Sequence, residues 1–219
     1  MKKYFLAAFT LSCFGLLTAT GCSSAEPFTL TEKRTEIRPG TIAVICGSSD
    51  EKDIKLAEET TRFLKEKTGF RVMSQKEIEE KLPMYPSYLL EEQSIETDSW
   101  TISQNYLTEK NMAAISRIQQ QLGVQYIFLI WAKGVDTSSC SGCCCMRFFG
   151  FIGGDYYRIT IPVRIISFPE KEVIAYSNVY YSDYYSIFRF ENSAVEKLLT
   201  SASESIVENF QKITSEKGK

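Results

Sequence analysis

The stretch Val124–Trp131, VQYIFLIW, constrains this chain more than any other segment. It has the length of a strand and is apolar nearly throughout. A strand that is apolar at successive positions needs cover on both faces, so it belongs at the centre of a sheet.

The neighbouring segments supply the rest of the sheet. Gly40–Gly47, GTIAVICG, is a short β-branched run and reads as a buried strand. Ser48-x-x-Glu51 then has the form of a capping box. It predicts a helix to about Lys67, with Ile54, Ala57, Thr61 and Leu64 inward and Gly69 as its stop. Phe70–Ser74 reads as a second strand, and Lys76–Leu82 as a short helix ended by Pro83. Residues 83–100 form a long apolar loop containing Tyr85, Tyr88 and Trp100, read as a flap or a functional loop. Thr101–Leu122 reads as a helix with Ile115, Ile118 and Leu122 inward and Gly123 closing it.

Later segments change period. Over Tyr156–Phe168, Ile159, Ile161, Val163 and Ile165 alternate with Arg158, Thr160, Pro162 and Arg164, a half-buried strand. Pro162 marks a bulge or an edge. Pro169–Glu172 makes a turn and Val173–Tyr181 returns as the hairpin partner. Ser193-x-x-Glu196 caps a last helix to about Ile213, whose apolar face runs from Val195 through Leu198, Ala202 and Ile206 to Phe210. The order β-α-β-α-α-β-β-β-α predicts an α/β (α+β) domain: one mixed sheet of about five strands with helices packed on it.

Three pieces of this pattern resemble one domain family. They are GTIAVI before a capped helix, AISRIQQQLGVQYIFLIWAKG, and the hairpin IPVRIISFPEKEVIAYS. Together they look like the domain shared by the amino-terminal part of TolB, the curli-secretion lipoprotein CsgG and the penicillin-binding-protein activator LpoB. The resemblance implies an envelope lipoprotein whose domain binds proteins or assembles into complexes without catalysis. It carries over no site residue. The segment Ser138–Gly154, SSCSGCCCMRFFGFIGG, departs from that pattern.

The amino terminus fits such a protein. Lys2 and Lys3 precede an apolar run from Tyr4 to Leu17, and Ala19, Thr20 and Gly21 lead into Cys22. This is an export signal too short to span a membrane as a helix, and it resembles a bacterial lipobox. The expected division is a signal peptide over 1–21, lipidated Cys22 and a tether over 22–39, a single α/β domain over 40–215, and a disordered tail over 216–219. The tether, if extended, would reach roughly 50–60 Å, and Phe28–Thr31 could add an edge strand. The covalent lipid (palmitate among its acyl chains) makes the membrane one partner. Ser23 favours the outer membrane, because Asp at that position is the usual inner-membrane retention signal in enteric bacteria.

Composition removes other classes. The chain has no histidine, which excludes His-based triads, Cys–His dyads and His-ligated zinc. A formal net charge of −2 without a basic patch argues against nucleic acid. The adjacent carboxylates Glu58/Glu59, Glu79/Glu80 and Glu91/Glu92 fall on predicted polar faces, where solvation explains them. No enzyme activity and no bound cofactor are expected.

The cysteines are the distinctive chemistry. With Cys13 lost and Cys22 lipidated, Cys46, Cys140, Cys143, Cys144 and Cys145 remain. Parallel strands would set Cys46 and the later cluster on one sheet edge, where they could meet. Three readings stay open: disulfides with one thiol left over, a soft-metal site for Zn²⁺ or Cu(I), and a redox pair at Cys140-Ser-Gly-Cys143. Phe148, Phe149, Phe151 and Ile152 form a candidate apolar tip for a bilayer or a partner groove, or else core under the hairpin. Tyr176, Tyr180 and Tyr184, with Tyr181 and Tyr185 beside them, are candidate contacts, of which strand alternation lets only some share a face. The functions these features allow are an envelope protein-binding or assembly factor, self-assembly included, a thiol- or metal-handling protein, and a secretion-channel subunit.

Overall fold

The computed structural model describes residues 24–25, 28–30, 37–47, 49–83, 85–86, 109–130, 132–140, 154–168, 170–186 and 191–215. Among these the elements run β1 (Ser24–Ala25), β2 (Thr29–Leu30), β3 (Thr41–Cys46), α1 (Glu51–Lys67), β4 (Arg71–Val72), α2 (Gln75–Lys81), α3 (Glu109–Leu122), β5 (Tyr126–Ile130), β6 (Lys133–Cys140), β7 (Gly154–Ser167), β8 (Glu172–Ser186) and α4 (Glu191–Ser215). All the strands belong to one mixed sheet, and five of them exceed two residues. The expected α/β class and strand number hold.

The VQYIFLIW stretch lies where its composition requires. Within it β5 is buried at every residue, between β3 on one side and β7 on the other. β3 is parallel to both β5 and β4, while β7 runs antiparallel to β5 and β8 antiparallel to β7. On one face, the Phe128 ring meets Phe210 of α4 edge-on at 4.9 Å, and Phe70 meets Phe210 at 5.4 Å. Aromatic pairs prefer such offset or perpendicular geometry because the ring edge is positive and the ring face negative.

α1 packs on α4, and small polar side chains permit the close approach. The Thr60 hydroxyl donates to Ser203 Oγ at 3.2 Å, and Ser203 Oγ donates to the Leu56 carbonyl at 3.4 Å. At the rim of this contact, Lys67 Nζ sits 2.6 Å from Glu204 and 3.6 Å from Glu208. The inward face of α1 includes the expected Ala57, Thr61 and Leu64, whereas Ile54 is half-buried. Along α4, Leu198, Ala202, Ile206 and Phe210 are buried as expected.

The helix ends differ from the sequence reading in several places. Asp50 caps α1, its side chain accepting from Lys52 N–H at 2.8 Å, so the expected Ser48–Glu51 box does not form the cap. Thr68, not Gly69, ends the helix: its backbone N–H and its hydroxyl both donate to the Leu64 carbonyl. α2 opens on a capping box that the sequence reading missed, between Ser74 and Glu77. The Ser74 backbone N–H and hydroxyl hold the Glu77 carboxyl below the usual carboxylate range. α4 begins at Glu191, so Ser193 lies inside its first turn. The closing role of Gly123 holds, since it takes φ +70° and donates to the Gln119 carbonyl. Any side chain there would meet the left-handed penalty of about 1–2 kcal/mol.

The late strands are longer than their apolar patterns suggested. β7 and β8 pair without interruption from Gly154↔Ser186 to Ile165↔Ala175, and a bulge follows before Ile166↔Val173. Their turn places Lys171 at φ 57°, with its N–H on the Ser167 carbonyl. On the other side of β7, β5 pairs as far as Val163 and β6 begins at Thr160. Pro162 sits at that break in pairing, which suits a residue with no N–H to donate.

Two readings of whole segments change. No strand is expected between the Val124–Trp131 and Tyr156–Phe168 strands, yet β6 runs from Lys133 to Cys140, opposite Gly154. The tether is also partly sheet. β2 pairs with Ala175–Tyr176 of β8, as an edge strand near Phe28–Thr31 predicted, and β1 pairs further along at Val179–Tyr180. Phe28 is buried in the core.

Candidate functional site

The candidate contact surface is built by β8. Its continuous register with β7 sets Tyr176 opposite Arg164, Tyr180 opposite Thr160 and Tyr184 opposite Tyr156. Side chains alternate along a strand and cross-strand partners share a face. Tyr176, Tyr180 and Tyr184 therefore belong to one face, together with Tyr156, Arg158 and Arg164 of β7. Tyr181 and Tyr185 belong to the other. That second face also carries Ile159, Ile161, Val163 and Ile165, all buried, and it is the face of Phe128 and α4. Tyr176 and Arg164 are half-buried, and burial lowers the basicity of the Arg164 guanidinium. The resulting face combines tyrosines, which offer rigid contact area with a hydroxyl, and arginines, which offer planar donors.

The amino-terminal segment is tied to the outer edge of the same strand. Ser24 pairs with Tyr180 and Ala25 with Val179. The expected long reach of the tether is therefore cut short, because the chain is in the sheet two residues after Cys22. Cys22 itself lies outside the described residues.

Of the five fold cysteines, Cys46 and Cys140 are described, and they stand at different places in the sheet. Cys46 ends β3 and is in register with Ile130, whereas Cys140 ends β6 opposite Gly154. Ile130 pairs with Val163, so nine residues of β7 separate the two positions, roughly 30 Å at strand rise. Cys46 and Cys140 therefore do not meet. Cys143, Cys144, Cys145, Phe148, Phe149, Phe151 and Ile152 lie outside the described residues. Among the described residues, no three Cys, Asp or Glu side chains converge as a metal site.

Cys46 instead belongs to a buried polar network that finishes the edge of β3. β4 is only two residues long, so among the described residues the outer edge of β3 beyond Ile42 has no neighbouring strand. Side chains take the place of that strand. Gln75 Nε2 donates to the Val44 carbonyl at 3.0 Å and to Thr61 Oγ1 at 2.9 Å. Cys46 N–H donates to the Tyr85 hydroxyl oxygen at 3.0 Å, and Tyr85 donates to Gln75 Oε1 at 3.1 Å. With its own hydrogen on Gln75, Tyr85 is an acceptor toward the Cys46 thiol, 2.9 Å away. The thiol is thereby enclosed with Tyr85 at the end of the central sheet, in a buried contact at the edge of β3. The sequence reading placed Tyr85 in a long flap and missed this role. Its signal was a lone tyrosine just after the short helix. Across the same end of the sheet, the buried Asp53 carboxylate in the first turn of α1 accepts from Ala132 N–H, fixing the β5–β6 junction.

Tyr85→Phe is expected to destabilise the fold by about 1–3 kcal/mol, because the buried Cys46 N–H and the half-buried Gln75 amide oxygen lose their partner. Urea unfolding of the purified protein measures it. Burial first, and then Cys46, push the Tyr85 hydroxyl well above its usual 10.0. The folded value exceeds the unfolded one, so this contribution is full below pH 10 and declines as pH rises beyond it. The variant is expected to lose less stability than the parent between pH 9 and 11, about one unit either side of that value.

The carboxylate pairs have ordinary surroundings. Glu59 pairs with Arg62 at 2.6 Å and approaches Lys55, while Glu58, Glu79 and Glu80 are exposed. Glu91 and Glu92 lie outside the described residues.

Comparison with known proteins gives no family assignment. The chain matches no protein-family model and no curated protein. Among solved structures, it is similar to lipoprotein GNA1162 from Neisseria meningitidis at 12% identity, covering 78% of this chain and 99% of that one with a TM-score of 0.42. It is similar to the PelC dodecamer from Paraburkholderia phytofirmans at 8% identity, 85% and 97% coverage and a TM-score of 0.37. A minor lipoprotein from Acinetobacter baumannii gives 7% identity, 80% and 93% coverage and a TM-score of 0.38. These likenesses are loose, and no residue role is transferred from them.

Proposed function

We propose that this chain is a lipid-anchored protein of the bacterial cell envelope that binds another protein, or further copies of itself, and performs no chemistry. Cys22 after its export signal supports the anchor, and Ser23 supports residence in the outer membrane facing the periplasm. The observation that carries the binding role is the β7–β8 face on which Tyr176, Tyr180, Tyr184, Tyr156, Arg158 and Arg164 fall together. Tyrosine and arginine are the residue types that dominate protein interfaces. The lack of histidine and the buried position of Cys46 support a role without catalysis.

The two other readings have less behind them. A thiol- or metal-handling site would have Cys46 and Cys140 at separate places in the sheet. A channel strand needs about 9–11 residues in the bilayer, and beyond the buried Ile159 only residues 154–158 of β7 remain.

A photoreactive phenylalanine analogue at Tyr180 or Tyr184, in the full chain expressed in cells, tests the binding role. Adducts of defined mass are expected there and not at Glu79 on α2. A single partner mass identifies another protein, and a doubled mass identifies self-assembly. The absence of adducts at both tyrosines, with a monomer in detergent, would overturn the proposal.

A further inference from the structure

We infer that the segment of β1 and β2 guards the outer edge of β8, pinned there by Phe28, and that its release opens this edge to β8 of a second copy of the chain. The need for a guard lies in β8 itself. Its 15 residues, EVIAYSNVYYSDYYS, contain no proline, lysine or arginine. A long edge strand of that composition is a template for pairing with another chain, and natural edges are blunted by Pro, by Lys or by a covering segment.

β1 and β2 supply the cover. They lie antiparallel on β8, from Ser24 opposite Tyr180 to Leu30 opposite Ala175. The segment carries one residue more than the stretch it covers. Three residues separate Ala25 from Thr29, whereas two separate their partners Val179 and Tyr176. An extra residue of this kind shifts the alternation of a strand by one. The position of Thr29 thereby falls on the Tyr176 face, and its neighbour Phe28 falls on the opposite face, which α4 covers. Phe28 is 7% exposed there and belongs to the core. The guard is itself a poor template, because Pro27 has no N–H to offer an incoming strand.

The hold is concentrated in that one ring. β1 and β2 each add only two residues to the ladder, and local opening is drawn from such weakly held elements. Without the ring, the edge from Ala175 to Tyr180 is left with unpaired N–H and C=O groups. Two copies of β8 meeting there run antiparallel about a twofold axis, a contact that closes as a dimer. Pairing centred on Asn178 sets Asp183 opposite Val173 and Glu172 opposite Tyr184, so no two carboxylates oppose each other. This edge is distinct from the tyrosine–arginine face proposed above for binding.

Hydrogen exchange and sedimentation of the full chain in detergent test the guard, comparing Phe28→Ser with the parent. Any assembly through the tyrosine–arginine face is common to both and sets the baseline mass. In the variant, exchange of the Ser24–Leu30 amides is expected to rise at least about tenfold, as in a locally opened segment. Its mass should double over the parent's as concentration rises. The Ala175–Tyr180 amides that do not pair with β7 should exchange freely in the dilute variant and be protected in the concentrated one. Phe28→Leu, with the same changes expected at smaller size, takes its place if Phe28→Ser loses cooperative unfolding in urea. Three results would each overturn the guard: Ser24–Leu30 exchange equal to the parent's, a mass equal to the parent's at every concentration, or association that leaves Ala175–Tyr180 unprotected.

Discussion

Cys22→Ala is expected to abolish incorporation of labelled palmitate, taking the signal to background while leaving the fold intact. The thiol at Cys22 is the atom the lipid would be attached to, and no other cysteine follows an export signal with small residues before it. The effect is large because acyl chains contribute about 0.8 kcal/mol per buried methylene, and a stable anchor needs at least two such signals. Label is the right readout. An uncleaved variant would retain its apolar segment from Tyr4 to Leu17, which can hold a precursor at the membrane on its own. Mass spectrometry gives the second half of the result. The parent should begin at Cys22 with added acyl mass, and the variant should carry none. Undiminished palmitate in the variant would sink the lipoprotein reading.

Phe128→Ala is expected to destabilise the fold by about 3–5 kcal/mol, the usual cost of deleting a buried aromatic ring. Phe128 is fully buried at the middle of the central strand, and its ring meets Phe210 at 4.9 Å. A domain of this kind is stable by only about 5–15 kcal/mol, so the variant stands near the edge of folding. Phe210→Ala should cost a similar amount, since that ring contacts both Phe128 and Phe70. The double variant should cost less than the two single values added together, by about 0.5–1.5 kcal/mol, because the ring–ring contact can be lost only once. Urea unfolding of the purified protein measures all three. A single-variant cost under about 1 kcal/mol would show that the ring does not bridge sheet and helix.

What the sequence made legible follows from periodicity. β5 was read correctly because an apolar run leaves one place for itself, between other strands. The inward positions Ile115, Ile118 and Leu122 were read correctly because helical spacing allows little else, and all three are buried. What it hid was non-local. β6, KGVDTSSC, carries no alternation, since its pairing with β7 and not an apolar face defines it. β4 shrinks from the expected Phe70–Ser74 to two residues, and the side chains that replace it, Gln75 and Tyr85, announce nothing locally. β1 needs a partner whose register is set some 150 residues later. For the candidate surface, the parity of Tyr176, Tyr180 and Tyr184 was readable, but their alignment with Arg158 and Arg164 required the register of the whole hairpin.

Early and late elements meet in this fold, with consequences for how it can be made. β1 and β2 lie on β8, and α1 is covered by α4, the last element, through contacts such as Thr60 with Ser203, 143 residues apart. Contacts between such distant residues are slow to form, because a long loop must close before any packing rewards it. A chain emerging amino terminus first across a membrane would hold α1 and β3 without their cover until α4 had followed. α1 and β3 would then reach their native packing only after α4 has followed, which keeps those earlier elements threadable while they cross and makes the 25-residue helix α4 the step that completes them.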